Sequence, residues 1–119
     1  MIWQEPYEIG GHTVRNRIVF PPLSGNWAEA DGSVSDRILD FYRDIANGGA
    51  GFVVVSGTAV SPEGKGSDRT LCLYDRSHLP GIRELADIIG EQGALPAIQL
   101  MHVGGQGNPH WTEIGRAHV

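Results

Sequence analysis

The sequence has little cysteine, little positive charge and no long apolar run. Its single cysteine, Cys72, cannot form an internal disulfide, which suits a reducing compartment. Lys and Arg number 9 against 14 Asp and Glu, and the net charge of −5 argues against electrostatic binding to nucleic acid or anionic membrane. No segment approaches the ~18 consecutive apolar residues of a membrane span, and the start lacks the basic and apolar regions of a signal peptide. These absences predict a cytoplasmic protein with neither nucleic acid nor membrane as a partner.

Glycine, in contrast, is abundant, with 17 residues that separate short apolar segments. Residues 6–13 predict a hairpin turning at Gly10-Gly11, because adjacent glycines supply the positive φ angles of a tight primed turn. Strands are predicted at residues 18–20, 52–55 and 95–100. A continuous apolar run of this length is typical of a strand buried on both faces.

Two helices are predicted between these strands, over residues 35–47 and 77–92. Ser35 and Ser77 are the expected N-caps, and Pro80 is tolerated in the first turn of the second helix. The first helix has an apolar stripe at helical spacing, formed by Ile38, Leu39, Tyr42, Ile45 and Ala46. The order hairpin, β, α, β, α, β predicts an α/β fold with a parallel sheet wound by right-handed crossovers.

Ligands in parallel α/β folds meet the carboxyl ends of the strands. Three segments occupy such positions: residues 21–24 (PPLS), 56–59 (SGTA) and 99–102 (QLMH). Their backbone amides and small polar side chains suit a flat, uncharged heterocycle. No metal site is predicted, because no two of Glu63, Asp68, His102 and His110 have a convincing ligand spacing. The Rossmann fingerprint, the nucleophile elbow and the P-loop are also missing from the sequence.

Three motifs resemble the old yellow enzyme family of flavin oxidoreductases. Residues 15–22 (RNRIVFPP) are similar to the N-R-I-V/P pattern of its first strand, and residues 56–64 (SGTAVSPEG) to its second-strand loop. Residues 99–104 (QLMHVG) resemble its third-strand Q-L-x-H-x-G motif. The likeness extends over residues 6–106, and the bacterial dienoyl-reductase and NADH:flavin oxidoreductase branch is the most similar. One departure is Gly105, which stands where the family usually has Arg and leaves the local ion pairing in question.

The resemblance implies a (β/α)₈ TIM barrel, of which residues 1–113 form the N-terminal part: a β-hairpin and about three β/α units. It also implies an FMN at the top of the barrel. Pro22 and Leu23 would lie along the isoalloxazine ring through backbone contacts. Ser24 would sit near the flavin O4 and N5 edge, with the Gly57 amide close to the same edge. Gln99 would bond the pyrimidine edge, since its amide both donates and accepts.

Each of these assignments has a purely structural alternative. Pro22 could serve merely to end its strand, Ser24 could be a turn residue, and Gly57 could be needed only for tight packing. Gln99 is the strongest candidate, because a polar amide directly after an apolar strand needs a partner. His102 and Cys72 are interpreted as structural, the latter as a small hydrophobe in a loop.

The implied reaction passes hydride from NAD(P)H to FMN and then to an electron-poor C=C bond of a small-molecule substrate. No catalytic residue is assigned here, because the family's substrate-anchoring His/His or His/Asn pair follows the fourth strand. Its phosphate-binding residues come from the last strands. A barrel needs roughly 250 residues, so the chain is expected to be inactive alone. Homo-oligomerisation of the full-length protein and an iron–sulfur cluster further along are left open.

Residues 114–119 (IGRAHV) are expected to be foreign, because one frame of a common sequencing adapter (ATC GGA AGA GCA CAC GTC) encodes them; an ordinary loop is the alternative. Two other function classes also stay open. One is a different FMN- or phosphate-binding barrel, such as a dihydroorotate-type oxidase or an aldolase. The other is a non-enzymatic small α/β module complete at this length.

Overall fold

A computed structural model describes residues 1–108, so the expected foreign segment 114–119 and His110 lie outside the described residues. The elements are β1 (Tyr7–Ile9), β2 (His12–Val14), β3 (Val19–Phe20), α1 (Asp36–Asn47), β4 (Phe52–Ala59), α2 (Leu79–Glu91) and β5 (Leu95–Met101). Short 3₁₀ turns occupy Ile2–Gln4, Pro62–Gly64, Arg76–His78 and Gly104–Gln106. Within residues 1–108, none of the helices has the length and apolarity needed to cross a membrane.

The first two strands form an antiparallel hairpin with the register Tyr7↔Val14. Its turn residues Gly10 and Gly11 have φ angles of 55° and 81°. Positive φ at both central positions is what a primed hairpin turn requires, and it suits glycine. The hairpin ends at Val14, which is buried, and the next residue is Arg15.

The remaining strands form a parallel sheet in the order β3-β4-β5, with the two helices as crossovers. Phe20 pairs with Val53 in register, and both pack against the helices. The core between sheet and helices consists mainly of Ile38, Leu39, Tyr42, Val53, Val55, Leu85, Ile88 and Ile89. Val19 and Phe52, one position earlier in the same register, share the opposite face and are exposed or half-buried.

Helix α1 begins and ends as its sequence predicts. The Ser35 hydroxyl accepts a hydrogen bond from the Ile38 amide, which confirms Ser35 as the N-cap. At the other end Gly49 has a φ of 111°, and its amide donates to the Ala46 carbonyl. The amide of this left-handed glycine thus binds a carbonyl of the last helical turn, which has no partner within the helix.

The prediction of Ser77 as the cap of the second helix is wrong. The Asp75 carboxylate accepts from the Ser77 amide and caps a 3₁₀ turn, after which α2 begins at Leu79 without a side-chain cap. Hydrogen bonds from the Ser77 hydroxyl and from its amide hold the pKa of the Asp75 carboxyl below its usual value. The turn is fixed by buried His78, whose Nε2 lies 2.8 Å from the Asp31 carbonyl oxygen.

Strand β4 continues four residues beyond its predicted end at Val55. The extension is stabilised by a segment distant in sequence, because Ala59 forms a parallel bridge with Cys72. The Ala59 amide donates to the Leu71 carbonyl, and the Leu73 amide donates to the Ala59 carbonyl. A polar stretch that reads as a loop from sequence therefore belongs to the sheet.

Arg15 joins the carboxyl ends of both helices to the turn before β4. One guanidinium nitrogen donates to the Gln92 carbonyl at 2.7 Å. The other donates to the carbonyls of Ala46 and Ala50 at 2.8 and 2.9 Å. A cation at the helix carboxyl termini also opposes the negative ends of both macrodipoles. Arg15 thus connects three segments that are more than thirty residues from it in sequence.

Replacing this cation should destabilise the chain. We expect Arg15→Met to lower the free energy of unfolding by about 2–4 kcal/mol, since hydrogen bonds to charged groups contribute ~1.5–3 kcal/mol each and three carbonyls lose the bond from Arg15. Urea denaturation followed by circular dichroism measures it. The matched control is Arg83→Met on the exposed side of α2, with an expected change within about 0.5 kcal/mol. Equal effects of the two substitutions would contradict the role of Arg15.

Cys72 is fully buried, and its thiol donates to the Thr70 carbonyl. Burial raises the pKa of this thiol, against the smaller opposing effect of the Lys65 charge. Its neighbour Gly32 leaves the space that the sulfur fills, since a Cβ there would overlap Sγ. The interpretation of Cys72 as a small buried hydrophobe is confirmed.

The same burial predicts slow thiol chemistry. In the native chain at pH 8, Cys72 should react with a disulfide reagent such as DTNB about 100-fold or more slowly than in urea, because reaction requires local unfolding. The chain has no other cysteine, so the absorbance change reports this residue alone. Comparable rates in the native and unfolded chain would show that the β4 extension is not formed.

Candidate functional site

The loops that follow β3 and β4 are tied together by Asn26. Its side-chain amide donates to the Asp68 carboxylate at 3.2 Å, and its carbonyl oxygen accepts from the Arg69 amide at 2.9 Å. A third bond joins the Ala28 amide to the Arg69 carbonyl. Asn26 has a φ of 57°, a conformation that Asn tolerates better than most residues. The two loops therefore form one layer above the carboxyl ends of the strands.

Gly25 and Trp27 hold Ser24 in place within that layer. A Cβ on Gly25 would overlap the Trp27 ring, so glycine is needed at this position for the ring to lie where it does. The Trp27 ring packs edge-on against Phe41 of α1, and Arg37 lies 4.4 Å above it in a cation–π contact. The loop carrying Ser24 is thus anchored to the helix layer through one aromatic side chain.

Strand β4 contains a bulge at the level of the candidate residues. Val55 pairs with Ile98 and Thr58 with Leu100, so Ser56 and Gly57 together stand opposite the single residue Gln99. A two-for-one arrangement bends the strand and redirects its side chains, and it recurs beside active sites. The second and third sequence motifs therefore meet at an irregularity of the sheet.

Gly57 and Gln99 are direct neighbours across the bulge. A Cβ on Gly57 would lie 3.3 Å from Oε1 of Gln99 and 2.8 Å from Sδ of Met101. Ile98 packs toward the helices, so Gln99, next along the strand, faces away from them. The Gln99 side chain is exposed at the open face of the sheet, where its amide is available to a ligand.

Two cavities lie beside this pair. Leu23, Ser24 and Gly57 line a narrow cleft of about 20 Å³, too small for more than a water molecule. Ser24 and Met101 share a wider cavity of about 260 Å³. Leu23, Ser24 and Gly57 thus share the narrow cleft, and Gln99 lies beside Gly57. Neither Gln99 nor Pro22 lines either cavity.

The wider cavity is lined by uncharged residues. Its lining consists of Ser24, Asn26, Gly66, Ser67, Thr70 and Met101. The hydroxyls of Ser67 and Thr70 bond each other at 2.9 Å, and the Ser67 amide donates to Thr70 Oγ1. Such a wall suits a neutral ring with hydrogen-bonding edges and provides no cation for a phosphate. The volume is below the ~300–1,000 Å³ of a complete small-molecule site.

His102 stabilises the loop that follows β5. Its Nδ1 accepts from the Gly104 amide at 2.9 Å, and its ring packs against Gly64 of the β4–α2 loop. Glu63 lies 4.0 Å from Nε2 at a solvent-exposed site. These contacts join the loops after β4 and β5, in agreement with the structural role expected for His102.

Sequence reasoning missed three residues that shape this region: Asn26, Tyr42 and Thr58. The Tyr42 hydroxyl accepts from the Ser56 amide, and the Thr58 hydroxyl donates to the Ser56 carbonyl. Tyr42 sits in an apolar stripe that predicts only core packing. The sole local signal for Asn26 is its residue type beside a glycine, which is typical of a left-handed turn.

Comparison with known proteins decides the family. The family model for the NADH:flavin oxidoreductase / NADH oxidase family matches residues 4–113. The chain belongs to this family. NADH oxidase from Thermoanaerobacter brockii is 41% identical over 106 residues, which are 88% of this chain and 16% of that protein. The resemblance to flavin oxidoreductases, derived from the three motifs, is confirmed.

Solved structures of other proteins share the fold. A 2-naphthoyl-CoA reductase in complex with 2-naphthoyl-CoA superposes with a TM-score of 0.89 at 37% identity, covering 95% of this chain and 17% of that one. The old yellow enzyme from Trypanosoma cruzi gives a TM-score of 0.83 at 30% identity, covering 92% and 29%. The chain therefore spans less than a third of the length of these relatives.

The packing at Gly57 gives a test of the site geometry. Gly57→Ala should move the Met101 thioether, which the new Cβ would meet at 2.8 Å, and so shift the Met101 methyl signal in NMR spectra. The cost in stability should stay below about 1 kcal/mol, because a flexible Met side chain can adjust. Met1 is the only other methionine, which makes the assignment simple.

The control for this substitution is Gly90→Ala on α2, where nothing lies within 4 Å of a new Cβ. We expect the Met101 signal to stay in place there. An unmoved Met101 signal in Gly57→Ala would mean that β4 and β5 are not in the described register.

Proposed function

We propose that this chain forms part of the FMN site of an NAD(P)H-dependent ene-reductase built on a (β/α)₈ barrel. Bound FMN would supply the hydride chemistry that carries reducing equivalents from NAD(P)H to an electron-poor C=C bond. The family match and the likeness to old yellow enzyme structures support this reaction class. The observation that carries the proposal is the meeting of Gly57 and Gln99 at the bulge of β4, beside the loop of Ser24.

In this proposal each residue binds or orients the ring. Gln99 would pair with the pyrimidine edge, because its exposed amide offers a donor and an acceptor together. The Ser24 hydroxyl would donate to the O4 and N5 edge, where a donor stabilises negative charge on the reduced ring. Gly57 would present its backbone to the same edge without a side chain in the way. Pro22 and Leu23 would contact the ring through their backbone.

The substrate side of the proposal stays broad. One relative of known structure is described with 2-naphthoyl-CoA, an aromatic thioester, whereas others are old yellow enzymes. We propose a small electron-poor unsaturated compound as the substrate class. Its anchoring side chains would come from beyond the third β/α unit.

We further propose that residues 1–113 are the first three β/α units with their hairpin, and that residues 114–119 are adapter-derived. The exposed or half-buried apolar residues on the open sheet face, Val19 and Phe52 among them, support barrel closure by further strands. The wider cavity has neutral lining only, so the phosphate cradle would lie elsewhere in the barrel.

The chain alone should therefore bind FMN weakly. Losing two contacts to the charged phosphate, at ~1.5–3 kcal/mol each, weakens binding by roughly 10²–10⁴-fold. We expect a colourless protein after gel filtration and no flavin reduction by NADPH. Millimolar FMN should nevertheless shift the NMR signals of the Gly57 amide and the Gln99 side-chain amide. Gln99→Ala should reduce the FMN-induced shift at Gly57.

Two results would count against this proposal. FMN-induced shifts elsewhere on the chain, with Gly57 unaffected, would remove the ring site from the bulge. A purified chain that is stoichiometrically yellow and reducible by NADPH would show a complete small flavoprotein in place of one wall of a barrel site. Extending the gene sequence beyond Glu113 tests the adapter origin of the last six residues directly.

A further inference from the structure

The bulge in β4 is held from the helix side of the sheet. The Ser56 amide donates to the Tyr42 hydroxyl of α1 at 2.8 Å. The Ser56 carbonyl accepts from the Thr58 hydroxyl at 2.9 Å. Both backbone groups of this one residue are thus satisfied by buried side chains, and an unpaired buried amide or carbonyl would be costly.

Both residues that supply these hydroxyls are buried. Tyr42 is 2% exposed and Thr58 is fully buried. The Tyr42 ring is fixed by edge-on contacts with Phe20 and Phe41. Burial raises the pKa of the Tyr42 hydroxyl above its ordinary value. A hydroxyl held this firmly defines where the Ser56 amide must lie.

The position of Ser56 determines the direction of its neighbour. Only with two residues opposite Gln99 does Gly57 turn to the open face of the sheet, beside Gln99 and Met101. Without the bulge, one-to-one pairing would shift every later residue of β4 to the other face. The helix layer therefore controls which backbone group the sheet presents at the candidate site.

We propose that Tyr42 is a positioning residue of the flavin site, acting through the Ser56–Gly57 bulge. It touches neither ring nor substrate; its hydroxyl fixes the backbone that carries Gly57 and places it against Gln99. This inference rests on the proposed function for its purpose, and on the geometry of the chain alone for its mechanism.

The test is hydrogen exchange and NMR of the whole chain without flavin. Tyr42→Phe removes only the hydroxyl, so the Ser56 amide should exchange about five- to tenfold faster, as expected for one lost hydrogen bond. The Gly57 amide and Gln99 side-chain signals should move with it. Amides of α2, such as Ile88 and Ile89, should keep their protection, which separates a local release of the bulge from general destabilisation.

Tyr7→Phe in the hairpin is the matched control, because it removes the same atom on a different sheet. We expect it to leave Ser56, Gly57 and Gln99 unchanged. If Tyr42→Phe does not fold, Thr58→Val releases the Ser56 carbonyl instead and should move the same Gly57 and Gln99 signals. Unchanged Ser56 exchange and Gly57 and Gln99 signals in the folded variant would overturn the positioning role.

A second arm adds FMN to the same samples. Tyr42→Phe should raise the FMN dissociation constant about tenfold, whereas Tyr7→Phe should not change it. The absence of any FMN-induced shift in the unsubstituted chain would count against the proposed function only, because the exchange measurement needs no flavin. Equal FMN affinity in the two variants, with the Ser56 amide released, would overturn the link between the bulge and the flavin.

Discussion

The guanidinium of Arg15 is the interaction on which the architecture depends. It binds carbonyls at the ends of α1 and α2 and in the turn before β4, so both crossovers return to the same level of the sheet. Two further positions make room for this junction. A Cβ on Gly93 would lie 2.5 Å from the Arg15 guanidinium, and one on Gly51 would lie 2.5 Å from the Asn16 side chain. These bonds lie where the strands begin, which leaves the carboxyl ends of the strands available for a ligand.

The carboxyl edge is held differently, by hydrogen bonds of uncharged side chains. Backbone amides at this edge donate to the side-chain carbonyl oxygen of Asn26 and to the hydroxyls of Tyr42 and Thr70. Neutral donors and acceptors keep this edge free of fixed charge around the wider cavity. An uncharged wall binds a planar heterocycle by shape and hydrogen bonding, whereas a charged one would bind counter-ions.

Sequence predicted those features whose signals are local. The apolar strands, the Ser35 cap and the left-handed end of α1 each follow from adjacent residues. The continuation of β4 depends on pairing with Cys72, which lies in a distant loop, so polarity alone suggested a loop. Asp75 and Ser77 are both good caps. The choice of Asp75 follows from tertiary packing of His78, which no local pattern contains. For the same reason the motifs located Gly57 and Gln99 without revealing the bulge that joins them.

The bulge explains how a regular scaffold can carry an irregular site. A parallel strand places alternate residues on opposite faces. In a strand β4 without a bulge, Gly57 would therefore face the same side as Val53 and Val55, away from the open face. The extra residue at Ser56–Gly57 changes the face of Gly57 without changing the face of the two valines. Val53 and Val55 keep their places in the core, while Gly57 faces Gln99 on the open face. At this irregularity the buried hydroxyls of Tyr42 and Thr58 bind the amide and the carbonyl of Ser56. Packing on the helix side and geometry on the ligand side are therefore set by the same few atoms.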